Sequence, residues 1–107
     1  MSDNEPLSEQ CRVAGEEWAD RDAAATLLED TKSAFLSQKM QFYLEQGMAV
    51  NKAEQTVKAS AMWEDYIKKT VAARKAANLA KVQYEYLKMR YHEEQSANAT
   101  RRAEMRL

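Results

Sequence analysis

Glycine and proline are nearly absent from this chain of 107 residues, which contains two glycines and one proline. Tight turns between β-strands depend on these residues, so strand hairpins have almost nowhere to form. The composition is instead dominated by helix-favouring residues, with 31% charged residues and a mean hydropathy of -0.74. A large globular core is therefore excluded, and the sequence predicts long helices that each bury one narrow apolar stripe.

Reactive side chains and long apolar runs are scarce too. The chain has one cysteine, Cys11, and one histidine, His92, which lie too far apart in sequence to suggest a joint site. A single thiol is typical of a reducing compartment. No stretch approaches the roughly 20 apolar residues of a membrane span, and the acidic N-terminus has no signal-peptide core. We therefore expect an intracellular, cytoplasmic protein without membrane contact.

No group of residues with the spacing of a catalytic or metal site can be found in the sequence. Adjacent carboxylates such as Glu16 and Glu17 point about 100° apart on a helix, which is typical of solvated surfaces. The residue four positions after His92 is Ser96, so a metal-binding pair on one helix face is missing. We expect a protein that is not an enzyme, with no catalytic residues, no metal and no cofactor.

The first helix is predicted over about residues 8–46. Asn4 or Ser8 can cap its start, and Gly47 supplies the left-handed residue at which many helices end. Gly15 lies inside this helix, where a single exposed glycine costs about 1 kcal/mol relative to alanine. The helix can therefore continue through it.

Two further helical segments are predicted after Gly47. A short elbow helix is expected over about 51–59, where Asn51 and Glu54 resemble a capping box. Ser60 can then cap a long helix over about 61–104. The alternative is one continuous helix from residue 51 to the end. We favour the elbow because a hairpin has to reverse its direction somewhere.

Both long helices carry apolar residues in heptads. On the first, Leu28, Phe35 and Phe42 lie seven residues apart. On the last, two rows alternate at spacings of three and four and form a seam: Trp63, Thr70, Ala77, Tyr84, Tyr91, Asn98 and Met105, with Tyr66, Ala73, Ala80, Leu87, Glu94 and Arg101. We expect the stripe of the first helix to pack against the part of this seam from Trp63 to Tyr84. The polar end of the seam either sets the register of an assembly or frays in solvent.

These elements predict an all-α fold: one domain over residues 1–107, forming a long antiparallel helical hairpin, or coiled coil, with a short helical elbow. Two polar helices that each bury one face are marginally stable as an isolated pair. We therefore also expect a homodimer or higher oligomer that assembles into a helical bundle.

The net charge is -1, but the acidic and basic residues are unevenly distributed along the chain. Residues 1–30 contain nine acidic and two basic residues, whereas residues 68–107 contain ten basic and four acidic residues. The candidate nucleic-acid contacts in the basic half are Lys88, Arg90, Arg101, Arg102 and Arg106. We expect these to be neutralised across the hairpin by Glu9, Glu16, Glu17 and Asp20. Direct nucleic-acid binding is then less favoured than contact with a protein, for which the outward-facing residues Tyr86, Met89 and His92 are candidates.

Several segments of the chain resemble a family of small, mostly uncharacterised helical proteins of tailed bacteriophages and prophages. The resemblance covers about residues 28–107 and rests on four segments: Leu28-Glu29-Asp30-Thr31-Lys32, Tyr43-Leu44-Glu45-Gln46-Gly47, Val71-Ala72-Ala73-Arg74-Lys75-Ala76-Ala77-Asn78-Leu79-Ala80-Lys81-Val82, and Thr100-Arg101-Arg102-Ala103-Glu104-Met105-Arg106-Leu107. Proteins of this kind are often encoded near single-strand annealing or recombination genes. The resemblance implies a role beside DNA recombination in the bacterial host cytoplasm, and it implies no catalytic residues.

Three functions remain open at this point. The first is a non-enzymatic phage accessory protein that assists DNA recombination or replication through protein contacts. The second is an inhibitor of a host defence nuclease or another host protein, which would need the same kind of surface. The third is a structural or virion-assembly coiled coil. The identity of the bound partner separates these three functions.

Overall fold

The computed structural model describes residues 5–106, and over this range it contains four α-helices and no β-strand. The helices are α1 (Leu7–Asp30), α2 (Lys32–Glu45), α3 (Val50–Lys58) and α4 (Ala61–Met105). The predicted all-α hairpin with a short helical elbow is confirmed, the elbow being α3. The proposed cap Asn4 lies outside the described residues. The other proposed cap, Ser8, is inside α1 rather than before it.

The described chain divides into two compact units. One consists of residues up to Arg21 together with residues from Ala76 onward, and the other is Asp22–Lys75. This division is finer than the single domain expected over residues 1–107. In each unit, an early segment of the chain packs antiparallel to a segment of α4, as the contacts described below show.

The first predicted helix is interrupted at Thr31, which separates α1 from α2. Thr31 has φ -92° and ψ 1°, outside the helical region. Its hydroxyl donates to the carbonyl of Leu27 at 2.7 Å, and such back-bonding bends helices. The next carbonyl, that of Leu28, accepts a hydrogen bond from the Tyr66 hydroxyl at 2.6 Å. A side chain from α4 thus enters the backbone ladder at this point, which is a recognised cause of kinks.

Aromatic stacking around Tyr66 forms the centre of the Asp22–Lys75 unit. The Phe35 ring lies 4.3 Å from the Tyr66 ring and 6.2 Å from the Trp63 ring, measured between centroids. Stacked pairs of this kind add to the free energy gained from apolar burial. The expected packing of Phe35 on the start of the seam is therefore present, at its aromatic end.

The prediction for Phe42 is wrong. Phe42 is 60% exposed and meets the neighbouring Tyr43 ring edge-on at 5.2 Å. Phe35 already lies opposite Trp63 and Tyr66 near the start of α4, so Phe42, two turns further along α2, lies beyond the end of the seam, where α2 packs against α3. The buried residues of α3 are Ala53 and Val57.

The end of α2 forms a Schellman motif around Gly47. Gly47 has a φ of 89°, the left-handed conformation that the sequence predicted for it. Its N–H donates to the carbonyl of Leu44 at 3.0 Å, and the N–H of Met48 donates to that of Tyr43 at 3.1 Å. These bonds satisfy carbonyl groups that have no partner within the helix.

The two later helix starts differ from each other in how they are capped. The proposed capping box at Asn51 is wrong, because α3 begins at Val50 and its N-cap is Ala49, without a side-chain hydrogen bond. Glu54 instead forms an ion pair with Lys58 one turn later, at 2.8 Å. Ser60 caps α4 as expected, its hydroxyl accepting the N–H of Trp63 at 3.2 Å.

In the other unit, α1 and α4 pack through small residues and aromatic rings. Ala14 is buried, and Trp18 stacks on Tyr84 with 5.6 Å between the ring centroids. Gly15 is half-buried beneath Tyr84, and a Cβ atom added to it would lie 3.2 Å from the Tyr84 ring. The expectation of an exposed glycine is therefore wrong: Gly15 lets the tyrosine ring approach the α1 backbone.

Replacing Gly47 by alanine should destabilise the protein by about 1 kcal/mol, because an L-residue with a side chain is strained at positive φ. Nothing lies within 4 Å of an added Cβ, so the effect isolates backbone strain from packing. Urea unfolding followed by circular dichroism measures it. Gly47→Asn is the matched control and should lose less, since asparagine tolerates this conformation. Equal stability of Gly47→Ala and the parent protein would contradict the proposed role of Gly47.

Candidate functional site

Helix α4 carries apolar residues on two opposite sides. One side is the predicted seam, in which Ala77 and Leu87 have only 1% and 3% of their surface exposed and Tyr84 is half-buried. At about 100° per residue, positions two residues beyond the seam rows point to nearly the opposite side of the helix. Several of those positions are also apolar, so α4 has more apolar surface than its intrachain packing uses.

We call Leu79, Val82, Tyr86 and Met89 the outward stripe. Their exposed fractions are 60%, 62%, 48% and 53%, respectively. Their spacings of three, four and three are those of a helix face that packs against another helix. Single exposed apolar residues are common on proteins, but four successive layers on one helix face are typical of an interaction surface.

The partner surface predicted from the sequence falls on and beside this stripe. Tyr86 and Met89 belong to it, and the exposed His92 lies one turn further, with its ring edge-on to Tyr91 at 5.8 Å. An open depression runs along this part of α4, lined by Glu85, Lys88, Met89, His92, Glu93 and Ser96. An apolar side chain of a bound protein could enter this depression, with charged residues around it.

The five predicted nucleic-acid contacts are all exposed, but they do not form one face. Helical geometry places Lys88, Arg102 and Arg106 along one side of α4 and Arg90 and Arg101 along another. The guanidinium of Arg90 lies over the Tyr86 ring, 6.0 Å from its centroid. A straight strand of nucleic acid could thus contact only part of the set at once.

The expected neutralisation of these residues by the acidic start of the chain is wrong for the part that the structure describes. Glu9 and Glu16 form ion pairs with Arg12, and Glu17 forms one with Arg21, all within α1. Such pairs form between residues three or four apart on one helix. Within residues 5–106 no carboxylate lies within 4.0 Å of the basic groups of Lys88, Arg90, Arg101, Arg102 or Arg106.

The register of the two helices explains why the basic residues at the end of α4 do not meet the acids of α1. Gly15 and Trp18 lie against Tyr84, so the start of α1 at Leu7 is level with roughly His92. Helix α4 then continues for about three more turns beyond Leu7. Arg101, Arg102 and Arg106 lie in or just after those turns, away from the acids of α1.

One ion cluster links α1 to α4 within the Asp22–Lys75 unit. Arg74 donates to both carboxylate oxygens of Glu29, at 2.9 and 2.7 Å, and to Asp22 at 2.7 Å. It also lies 3.2 Å from the hydroxyl of Thr26. The Arg74 guanidinium holds the pKa of Glu29 below its ordinary value. A fork of this kind fixes the register of the two helices as well as their charge.

Other kinds of site are not assembled in the described part of the chain. Cys11 is a free, half-buried thiol on α1. Among residues 5–106, no three His, Cys, Asp or Glu side chains are close enough together to hold a metal ion. Over the same range no helix combines the length and the apolar composition of a membrane span.

Comparison of the chain with protein-family models, with curated proteins and with solved structures finds no match. The interpretation of this protein's function therefore depends on its own residues.

The partner surface predicted from the sequence contains Tyr86 and Met89 but not Leu79 and Val82. The spacing of Leu79 and Val82 to Tyr86 and Met89 nevertheless continues the same helix face. The signal was present as a second set of heptad positions, displaced by two residues from the seam. The interhelical role of Arg74 had no comparable signal, because a lone arginine does not reveal which distant carboxylates it meets.

We expect the stability of the protein to decrease as the pH is lowered through the acidic range, partly because Glu29 becomes protonated. Its pKa is lowered in the folded state, so its contribution is complete above its ordinary value of 4.5 and is lost as pH falls through the lower folded value. Arg74→Gln should therefore reduce the loss of thermal stability between neutral and acidic pH. Arg102→Gln is the matched control and should leave the pH profile unchanged, since Arg102 forms no ion pair within residues 5–106. Identical pH profiles for Arg74→Gln and the parent protein would contradict this role.

Proposed function

We propose that this protein is a non-enzymatic helical hairpin that acts by binding other protein chains through the outward stripe of α4. The observation that carries the proposal is the presence of two apolar sides on one helix, one buried by the hairpin and one exposed. Covering such a stripe with a second protein removes apolar surface from water, which is the main driving force of association.

The surroundings of the stripe favour a protein over a small ligand as its occupant. The depression around Met89 is open and follows the helix, whereas small molecules are usually held in enclosed cavities. Charged residues border the apolar layers on both sides, among them Glu85, Lys88 and Arg90. An apolar centre with a charged rim is the usual arrangement at protein interfaces.

For the biological role, we propose an accessory protein of a tailed bacteriophage that assists DNA recombination or replication in the cytoplasm of the host. The support for this setting is the resemblance of residues 28–107 to small helical phage proteins. Inhibition of a host defence nuclease would use the same stripe and is the alternative. A role in virion assembly is the further alternative.

Affinity capture with the full chain from infected host cells should recover a phage recombination or replication protein, identified by mass spectrometry. Met89→Glu should abolish capture because it places a charge in the apolar stripe. Gln95→Glu, an exposed change outside the stripe, is the control and should not affect it. The interaction is then to be reproduced with the purified partner. Recovery of a host nuclease or a virion protein instead, with the same sensitivity to Met89→Glu, would replace the first role by the corresponding alternative.

A second candidate function is direct contact with single-stranded DNA at the end of α4. The observation that favours it is that Arg101, Arg102 and Arg106 are exposed and form no ion pair within the described residues. Phosphate contacts of this kind release counterions and depend steeply on salt. Three of the acids expected to neutralise them, Glu9, Glu16 and Glu17, instead form ion pairs within α1.

Fluorescence anisotropy with a labelled single-stranded oligonucleotide tests the DNA contact. We expect weak binding at low salt that is lost near physiological salt, because only part of the basic set can face one strand. Replacing Arg101 and Arg102 together by alanine should lower the slope of log affinity against log salt by about 0.7, the value of one phosphate contact, because the two residues lie on different sides of α4 and one strand contacts only one of them. No binding at any salt concentration would remove this candidate. A tight complex at physiological salt would make the protein a DNA binder in its own right.

A further inference from the structure

We infer that the outward stripe of α4 is covered by the outward stripe of a second copy of this chain, with the two α4 helices antiparallel. This inference rests on the proposed function and names the first occupant of the same surface. The charges at the two ends of the stripe and the sizes of the residues within it favour this occupant.

Oppositely charged residues lie next to the two ends of the stripe, and the exposed Val71 lies on the same face one turn before the first of them. Continuing its spacing along the same uninterrupted helix, Lys75 precedes Leu79 and Glu93 follows Met89. Both charged residues are exposed. A helix face that begins with a base and ends with an acid is complementary to its own reverse. Two copies related by a two-fold axis would therefore place each Lys75 beside the Glu93 of the other copy.

The apolar layers between these ends also match in the antiparallel arrangement. With Lys75 opposite Glu93, Leu79 meets Met89 of the second copy, and Val82 meets its Tyr86. Each large or flexible side chain thus faces a smaller or branched one, which is how packed helices fill the space between them. The two-fold axis passes between the Val82 and Tyr86 layers, so every layer occurs twice.

A parallel arrangement of the two helices is disfavoured by the same charges. It would place Lys75 against Lys75 and Glu93 against Glu93 within the stripe itself. It would gain pairs between Glu85 and Arg90 on the flanks, but exposed flanking pairs contribute little. In the antiparallel arrangement the one like-charge contact is between the two Glu85 side chains, which lie on the exposed flank and are screened by salt.

Self-complementarity also favours a second copy over a different protein as the first occupant. An unrelated partner would have to supply a matching order of charges and side-chain sizes. A second copy has the same sequence, so in the antiparallel orientation it already presents this order. Two hairpins joined in this way would form a bundle of four or more helices, with the last turns of the two α4 helices pointing in opposite directions.

Sedimentation of the full chain tests the inference. At micromolar concentration we expect a species of twice the 12.3 kDa mass of the chain. Val82→Glu should yield the single chain with its helical circular dichroism spectrum retained, since Val82 is exposed within one copy. Gln95→Glu is the control and should remain dimeric. A wild-type protein that sediments only as the single chain would overturn the inference.

Exchanging the terminal charges tests the orientation. Lys75→Glu alone and Glu93→Lys alone should each weaken the dimer by about tenfold, because each creates two like-charge contacts. The double variant Lys75→Glu/Glu93→Lys should restore wild-type affinity. In a parallel dimer the double variant would only exchange one like-charge contact for another. A dimer in which the double variant shows no recovery over the single ones would overturn the antiparallel register.

Disulfide formation gives an independent measure of orientation, in a background where Cys11 is replaced by alanine. Cysteine at position 79 of one copy should cross-link with cysteine at position 89 of the other, in a mixture of a tagged and an untagged variant. Neither variant should cross-link with itself, and self-linking at both positions would indicate a parallel dimer instead. Failure of this inference is separable from failure of the proposed function, because a monomer that still captures its identified partner loses only the inference.

Discussion

The Tyr66 side chain holds α1, α2 and α4 in register within the Asp22–Lys75 unit, and the packing of that unit depends on this register. Its ring stacks on Phe35, and its hydroxyl donates to the carbonyl of Leu28, so one residue of α4 contacts both helices on either side of Thr31. Arg74, two turns further along α4, adds bonds to Asp22 and Glu29. A hydrogen bond and an ion pair have directional requirements that apolar contacts lack, so together they select one alignment.

The chain has little apolar surface with which to cover α4. Its partner segments are rich in charge and cover only one side of it, and small residues such as Ala14 and Gly15 allow close approach where they do so. If α4 had only one apolar side, packing within the chain would bury all of that side. The four exposed residues of the outward stripe are additional, and exposed apolar layers on a helix are retained where another helix covers them.

The predictable parts of this fold are those encoded by residues close together in sequence. Gly47 and Ser60 were identifiable because a left-handed glycine and a serine cap act on the neighbouring backbone. The seam was identifiable because its period spans the whole of α4. The break at Thr31 was not, since it depends on Tyr66, thirty-five positions away. Phe42 was misplaced because Phe35 already lies opposite Trp63, the first residue of the seam, so the seam does not extend as far as Phe42.

The site was predictable to a similar extent. Tyr86, Met89 and His92 could be placed on the outward side of α4 from helical spacing alone. The expected pairing of acidic start with basic end failed because total charge along a chain does not state which charges meet. Glu9 and Glu16 pair with Arg12, and Glu17 pairs with Arg21, all within four residues. Such local pairs form at a lower entropic cost than distant ones.

The central claim is that α4 has one side buried within its own chain and an opposite side open to a second chain. Rates of thiol modification measure this directly, with single cysteines at positions 79 and 87 in a Cys11→Ala background. In dilute protein we predict fast modification at position 79 and slow modification at position 87. As the protein concentration rises, position 79 should become protected while position 87 does not change. Equal rates at both positions in dilute protein, or a rate at position 79 independent of concentration, would contradict the account.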